Sequence, residues 1–292
     1  MPPLVPSASV TEARVPSIVS SATVAMEPSA TPSASAEPTA TVGVKALEIT
    51  SVVNFRDVAG GGLEVAGGGR MSLGVVYRSA KLTALSASDS RKLAKAGLSA
   101  IIDLRTDSVA ARRPDPAIKG VKHYVVNVLA VPRFPAVRAS TVTTARAYMR
   151  KLNADFVDLA GRRKQIARVL SLIATGDGPV LIHCTEGKDR TGWLSAVLQL
   201  AAGASRPQVL AEYVKSNQYR AALIDAAYRS KLKSSGGTAG QVQLALSRLR
   251  PEYLDAGLDR LEAQYGDISG YLTRGLGLSA ATVERLRERL TT

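Results

Sequence analysis

The stretch Val180-Leu181-Ile182-His183-Cys184-Thr185-Glu186-Gly187-Lys188-Asp189-Arg190-Thr191-Gly192 decides how this chain folds. Its opening apolar run has the length and composition of a buried strand, and helical patterning sets in at about Arg190. A strand that hands over to a helix through a short glycine-containing loop aims the free N–H groups of the helix start into the loop, which makes an anion site. Cys184 stands at the mouth of that loop. The amide dipoles, with Lys188 and Arg190, are expected to stabilise a thiolate and to lower the cysteine pKa from about 8.5 into the range of roughly 3.5 to 7.5.

Outward from this motif, residues 44–53 read as a strand. Asn54-Phe55-Arg56-Asp57-Val58-Ala59-Gly60 then leads into a glycine-rich hairpin that returns through Gly74 to Arg78. Ser86 with Asp89 three residues later marks a helix start, and Gly97 its end. Residues 100–104 and 121–128 are further strand-like runs, with helical periodicity over 155–175. From Arg190 on the pattern is helical, through 194–202, 208–215, 221–232, 241–249 and 283–290, with glycines, Pro207 and Pro251 as punctuation. Strands separated by helices imply an α/β fold: a mostly parallel central sheet flanked by helices, with a helical C-terminal half. Residues 131–150 fit least well, and two readings stand for them, a mobile flap over a site or an ordinary surface insertion.

The 292 residues, 46% of them hydrophobic and 21% charged, suffice for a large core. The longest strongly apolar stretch, residues 194–204, is about half a bilayer span, so no membrane crossing is expected. One cysteine rules out an internal disulfide framework and a multi-cysteine metal site, and two histidines, His123 and His183, rule out an all-histidine centre. No metal or cofactor is therefore expected. Residues 1–42 hold seven of the fourteen prolines among Ala, Ser and Thr and read as a disordered tail, leaving residues 43–292 as the folded domain. The tail lacks the basic start and apolar run of a secretory signal, so the expected location is the cytoplasm by default, with export by a non-standard route left open. The net charge of +14 rises to about +16 without the tail, a field that draws in phosphorylated substrates, an anionic membrane surface or nucleic acid.

Cysteine, five residues, then arginine is a spacing with a geometric reason. A loop of that length can wrap one phosphate, with its N–H groups on the equatorial oxygens, the arginine fork on two of them and the thiolate in line with the leaving oxygen. Attack by Cys184 on phosphorus would give a phosphocysteine that water hydrolyses. Thr185, Glu186, Gly187, Lys188 and Thr191 fall in or beside the phosphate-binding loop.

This loop, together with Asn54-Phe55-Arg56-Asp57, Tyr77-Arg78-Ser79-Ala80, Asp103-Leu104-Arg105-Thr106 and the C-terminal Gln264-Tyr265-Gly266-Asp267, Gly270-Tyr271-Leu272 and Gly275-Leu276-Gly277-Leu278-Ser279, resembles the bacterial tyrosine phosphatase family over roughly residues 44–290. The resemblance implies the cysteine-dependent phosphatase fold, no metal, and hydrolysis of phosphotyrosine, with phosphoserine, phosphothreonine and phosphoinositides as substrates of some members. The chain departs from the family pattern at Asp107-Ser108-Val109, where a glutamate would be expected. Glu186 puts an acid inside the phosphate loop, and its side chain is expected to point outward.

The roles follow. Cys184 is the nucleophile and Arg190 the phosphate fork. Asp189 is the candidate general acid, as the resemblance also implies, with a structural carboxylate as the competing reading and Asp57 and Asp103 in reserve. His183 reads as a buried histidine that fixes the loop, and Thr191 as a donor to the sulfur or a helix-start hydroxyl. Lys188 is expected to reach bound phosphate. Arg56, and with it Arg78 and Arg105, either extends the anion pocket or serves in structural ion pairs. Trp193 reads as core. The alternatives for the whole are a phosphoinositide phosphatase, a catalytically weak phosphate-binding module and a sulfur-transfer loop. Nucleic-acid binding comes last, because only charge favours it.

Overall fold

The structure is a computed structural model that describes residues 47–133 and 136–291. The chain divides into two units, Met1–Gly43 and Val44–Thr292. The tail expected over residues 1–42 lies outside the described residues, as does the start of the strand expected over 44–53.

In chain order the described elements are β1 (Arg56–Asp57), β2 (Val76–Ser79), α1 (Ala87–Lys95), β3 (Ala100–Asp103), α2 (Asp107–Arg112), β4 (Lys122–Val125), α3 (Val142–Asp158), α4 (Ala160–Ala174) and β5 (Val180–His183). Helices follow: α5 (Asp189–Ala201), α6 (Arg206–Val214), α7 (Ser216–Tyr219), α8 (Ala221–Ser247, two arms broken at Gly236, φ 83°), α9 (Pro251–Tyr265), α10 (Ile268–Gly270), a π turn (Tyr271–Gly275) and α11 (Ala280–Leu290). The strands form one sheet in the order β1-β2-β5-β3-β4, parallel except for the antiparallel β1–β2 edge, where Arg56 faces Arg78. The α/β architecture, mostly parallel sheet and helical C-terminal half agree with the sequence reading.

Because alternate strand residues face opposite ways, the uninterrupted Val180-Leu181-Ile182 run serves two cores. Val180 and Ile182 join Val76, Ala100 and Ile102 in a large cluster under α3, α4, α5 and the C-terminal helices. Leu181 joins Tyr77 and Ile101 in a smaller one closed by Phe55, Leu82, Leu93 and Ile118. Trp193 is fully buried in the first cluster, stacked on Phe156.

Three expectations need correction. The described part of the strand expected over 44–53 is irregular: Ile49 and Val52 are buried, but the N–H groups of Thr50 and Ser51 donate to the Asp89 carboxylate rather than to a neighbouring strand. The helix expected over 155–175 is two helices broken at Leu159, whose ψ of 114° leaves the helical region. Arg163 donates to the freed Val157 and Asp158 carbonyls at 2.7 and 2.8 Å. The helical runs read from the sequence also omit α9, which Pro251 opens after the end of α8; a missing N–H costs nothing at the first helical position. Helix α9 packs so closely that a side-chain carbon on Gly257 would lie 2.5 Å from Trp193.

Candidate active site

Strand β5 delivers Cys184 as the first residue past its end, and α5 begins five residues later, so the loop is short and its turn is forced. Gly187 makes that turn at φ 66°, and a Cβ there would sit 2.4 Å from the Ser79 carbonyl oxygen, so no other residue fits. The Gly187 N–H thereby donates to Cys184 Sγ at 3.2 Å. The sulfur is buried, and burial by itself pushes a thiol pKa up. The Arg190 charge and the hydroxyl and N–H of Thr191 outweigh that penalty, and the thiol is lowered below its ordinary value although Asp189 opposes the shift.

The Arg190 guanidinium lies across the loop, donating from Nη2 to Thr185 Oγ1 at 3.2 Å and from Nη1 to the Leu104 carbonyl at 3.4 Å. Asp189, partly exposed at the loop's lip, pairs with Lys188 Nζ at 2.9 Å. The Lys188 head also donates to the Leu246 carbonyl of α8 at 2.8 Å, so in this structure it faces protein acceptors at the cleft wall. The Glu186 side chain points outward, half exposed, in an ion pair with Arg220.

Behind the loop lies a buried polar network. Asn54 adopts φ 63°, a conformation asparagine tolerates, and donates from Nδ2 to the Gly187 carbonyl at 2.8 Å. Arg78, fully buried, donates to the same carbonyl at 2.8 Å. Arg56, a candidate for substrate binding or for a structural ion pair, does not line the cleft. Its guanidinium is held by Glu212 at 2.5 Å, Asn54 Oδ1 at 2.5 Å and Ser216 at 3.1 Å, because a buried cation needs a carboxylate and Glu212 is the one α6 brings to it. Arg56 thus braces Asn54, which braces the loop.

A second network sits under His183. Asp103 and Asp115 share Arg105 at 2.6 and 2.7 Å, Asp115 Oδ2 lies 3.0 Å from His183 Nε2, and His183 Nδ1 faces the Cys184 carbonyl at 3.1 Å. Asp103, held in reserve as an acid, is fully buried here and structural. Its carboxylate, with the Asp115 carboxylate and the His123 and His183 imidazoles, forms a cluster within 4.8 Å that has the donor types of a metal site. The Arg105 guanidinium already occupies both carboxylates, and Asp115 also holds the His183 ring, so the oxygens a cation would need are taken by protein donors.

The sequence profile of the tyrosine phosphatase family matches residues 47–292, which takes in both networks and the loop. The chain belongs to the tyrosine phosphatase family. A Cupriavidus necator protein named as a tyrosine-protein phosphatase is 32% identical over 243 residues, covering 80% of this chain and 85% of that one. The triple specificity protein phosphatase PtpB of Mycobacterium tuberculosis is 29% identical over 275 residues, covering 82% and 97%. Among solved structures, the catalytic core of the PP-IP phosphatase SIW14 of S. cerevisiae is similar over 67% of this chain and 92% of its own, at 16% identity and a TM-score of 0.31.

In this phosphatase the loop floors a cleft of about 790 Å³. Its walls mix apolar side chains, Tyr148, Met149 and Leu152 of α3 and Val242 and Leu246 of α8, with polar ones of α8, among them Lys231, Thr238 and Gln243, and residues 137, 139 and 140 close one side. The segment that fitted the sequence reading least well is therefore a wall of the cleft. Sequence reasoning missed Asp115, Glu212, Tyr148 and Arg220. Asp115 carried a faint signal, a carboxylate held between Pro114 and Pro116, whereas the others are ordinary helix or loop residues that matter only for what they meet. No helix among the described residues is long and apolar enough to cross a membrane.

Proposed function

We propose that residues 43–292 form a catalytic domain that hydrolyses phosphotyrosine in proteins through a phosphocysteine intermediate. The observation that carries this reading is the Gly187 N–H at 3.2 Å from a sulfur whose pKa is lowered by Arg190 and Thr191: a thiolate on the floor of an amide-lined loop.

The chemistry follows from the geometry. A phosphate dianion seats on the loop amides of residues 185–190 and on Arg190, where preorganised donors meet the charge that develops on its oxygens. The Cys184 thiolate attacks phosphorus, the S–P bond forms as the P–O bond to the aryl oxygen breaks, and Asp189 gives its proton to that oxygen. Water then attacks the phosphocysteine, Asp189 takes its proton, and the S–P bond breaks to release phosphate and restore the thiolate. His183 and Thr191 keep the loop and sulfur in place, and the apolar side chains of the walls take the substrate's ring.

A broader range, to phosphoserine, phosphothreonine and phosphoinositides, is favoured by likeness to a relative named for triple specificity and by the basic body of the chain. A thiol that must stay reduced to act suits a cytoplasmic site of action. The deciding experiment is hydrolysis of an aryl phosphate without added metal. Turnover is expected to vanish in Cys184→Ser while phosphate binding persists, and rapid quenching of the native enzyme should trap a phosphorylated cysteine. Equal rates in the two proteins would end the proposal. Phosphopeptide and phosphoinositide panels, with vanadate as inhibitor control, then rank the substrates.

A further inference from the structure

Glu186 is an oddity: it places a carboxylate within the loop whose task is to hold an anion, two positions after the nucleophile. Two like charges in a partly desolvated loop repel substantially, and a glutamate free to rotate would visit positions facing the phosphate. In this protein the carboxylate is engaged elsewhere. It pairs with the Arg220 guanidinium, whose side chain is 3% exposed while that of Glu186 is 49% exposed. Arg220 stands at the start of the first arm of α8, and its Nη1 donates at 2.9 Å to the Ser247 carbonyl at the end of the second arm, which folds back after the break at Gly236. The guanidinium is thus fixed between the two arms of α8 and the loop, with little freedom to follow Glu186 if the acid turned inward. An arginine suits this task because its planar fork serves two acceptors at once.

We propose that Arg220 is a positioning residue that draws the Glu186 carboxylate off the phosphate loop, so that a loop containing an acid keeps its affinity for a phosphate dianion. The inference rests on the phosphatase reading of the loop, and adds to it a residue 34 positions away in sequence that sets its affinity. Glu186 itself then contributes to the loop through its backbone, and the pair links α8, one wall of the cleft, to the occupancy of the loop.

The test is calorimetric binding of inorganic phosphate to the full chain carrying Cys184→Ser, which separates binding from turnover. Adding Arg220→Met is expected to weaken phosphate binding on the order of tenfold, by exposing the loop to an uncompensated carboxylate. Glu186→Gln alone is expected to tighten binding several-fold, since Arg220 then acts as an unbalanced cation. Combining the two is expected to restore affinity to within about threefold of the parent, reading the coupling directly. A double variant as weak as Arg220→Met would mean that Arg220 only supports the fold, and would overturn the proposal. Should Arg220→Met not fold, Arg220→Lys keeps the charge but loses one arm of the fork. Unchanged affinity in both Arg220→Lys and Glu186→Gln would equally overturn it. In the active enzyme the Arg220 variants should raise KM for an aryl phosphate more than they lower kcat. A parent that binds no phosphate denies the phosphatase reading itself, whereas a parent that binds alongside indifferent variants denies this inference alone.

Discussion

Arg78 and Gly187 fix the phosphate loop from behind: the buried guanidinium donates to the Gly187 carbonyl at 2.8 Å, while the N–H of the same glycine donates to Cys184 Sγ at 3.2 Å. Burial lowers the Arg78 pKa to about 9, nearby Arg56 adds to the lowering, and Glu212 and the Cys184 thiolate oppose it. A cation favoured by the thiolate favours the thiolate in return. Arg78→Met is therefore expected to raise the midpoint of Cys184 alkylation by iodoacetamide on the order of one pH unit. An unchanged midpoint in a folded variant would show that Arg78 serves the scaffold alone.

Gly187→Ala tests the turn itself. With 2.4 Å between the new carbon and the Ser79 oxygen, the loop must move, and the N–H aimed at the sulfur moves with it. Loss of kcat by roughly 10²-fold or more is expected, as for removal of an oxyanion donor, with alkylation of Cys184 slowed at neutral pH. Wild-type turnover in this variant would show that the left-handed turn is dispensable.

Asp189→Asn separates acid catalysis from structure. Turnover of a poor leaving group is expected to fall roughly 10²- to 10⁴-fold, and that of an activated aryl phosphate much less, because the latter departs without a proton. Lys188 stands 2.9 Å from the carboxylate and should keep its second bond, to the Leu246 carbonyl, in the variant. An equal fall for both leaving groups would point to a role other than proton donation.

Two buried carboxylates should bend the pH profile of stability in opposite directions. Burial raises Asp57 to about 6, with Glu212 adding to the rise and the Gly74 and Ala59 N–H groups opposing it. Its contribution is complete below the unfolded value of about 3.9 and is lost as pH climbs through 6, so Asp57→Asn should flatten the fall in Tm between pH 4 and 7. Asp115 behaves in reverse. Burial pushes its pKa up, but His123, His183 and Arg105 pull it far below the carboxylate range. Its contribution is present above about pH 3.9 and disappears as pH falls below that. Asp115→Asn is expected to cost about 3 to 5 kcal/mol near neutrality, since Arg105 loses a buried partner, and to weaken the acid-side fall in Tm. Thermal melts from pH 3 to 8 read both, and parallel profiles for the variants and the parent would refute the assignment.

The loop could be read from the sequence because everything that makes it is local. Val180-Leu181-Ile182 must be buried, Gly187 permits the turn, and α5 supplies the amides, all within thirteen residues. The alternation of strands and helices could be inferred for the same reason, one element at a time, but not the strand order, which puts β5 between β2 and β3. The strand expected near Ile49 failed because its hydrogen bonds go to Asp89, nearly forty residues away. Leu159 misled because periodicity continues across a helix break.

What the chain by itself determined is a nucleophile in an anion-binding turn on an α/β sheet, and with it the family. Only the folded structure decided how that turn is supported. Arg56 went to Glu212 and away from the cleft, Arg105 to two aspartates, and Glu186 to Arg220, while α3 and α8 closed a cleft over the sulfur. The reason is that a buried charge must find a partner wherever packing puts one, and that choice depends on residues far apart in sequence.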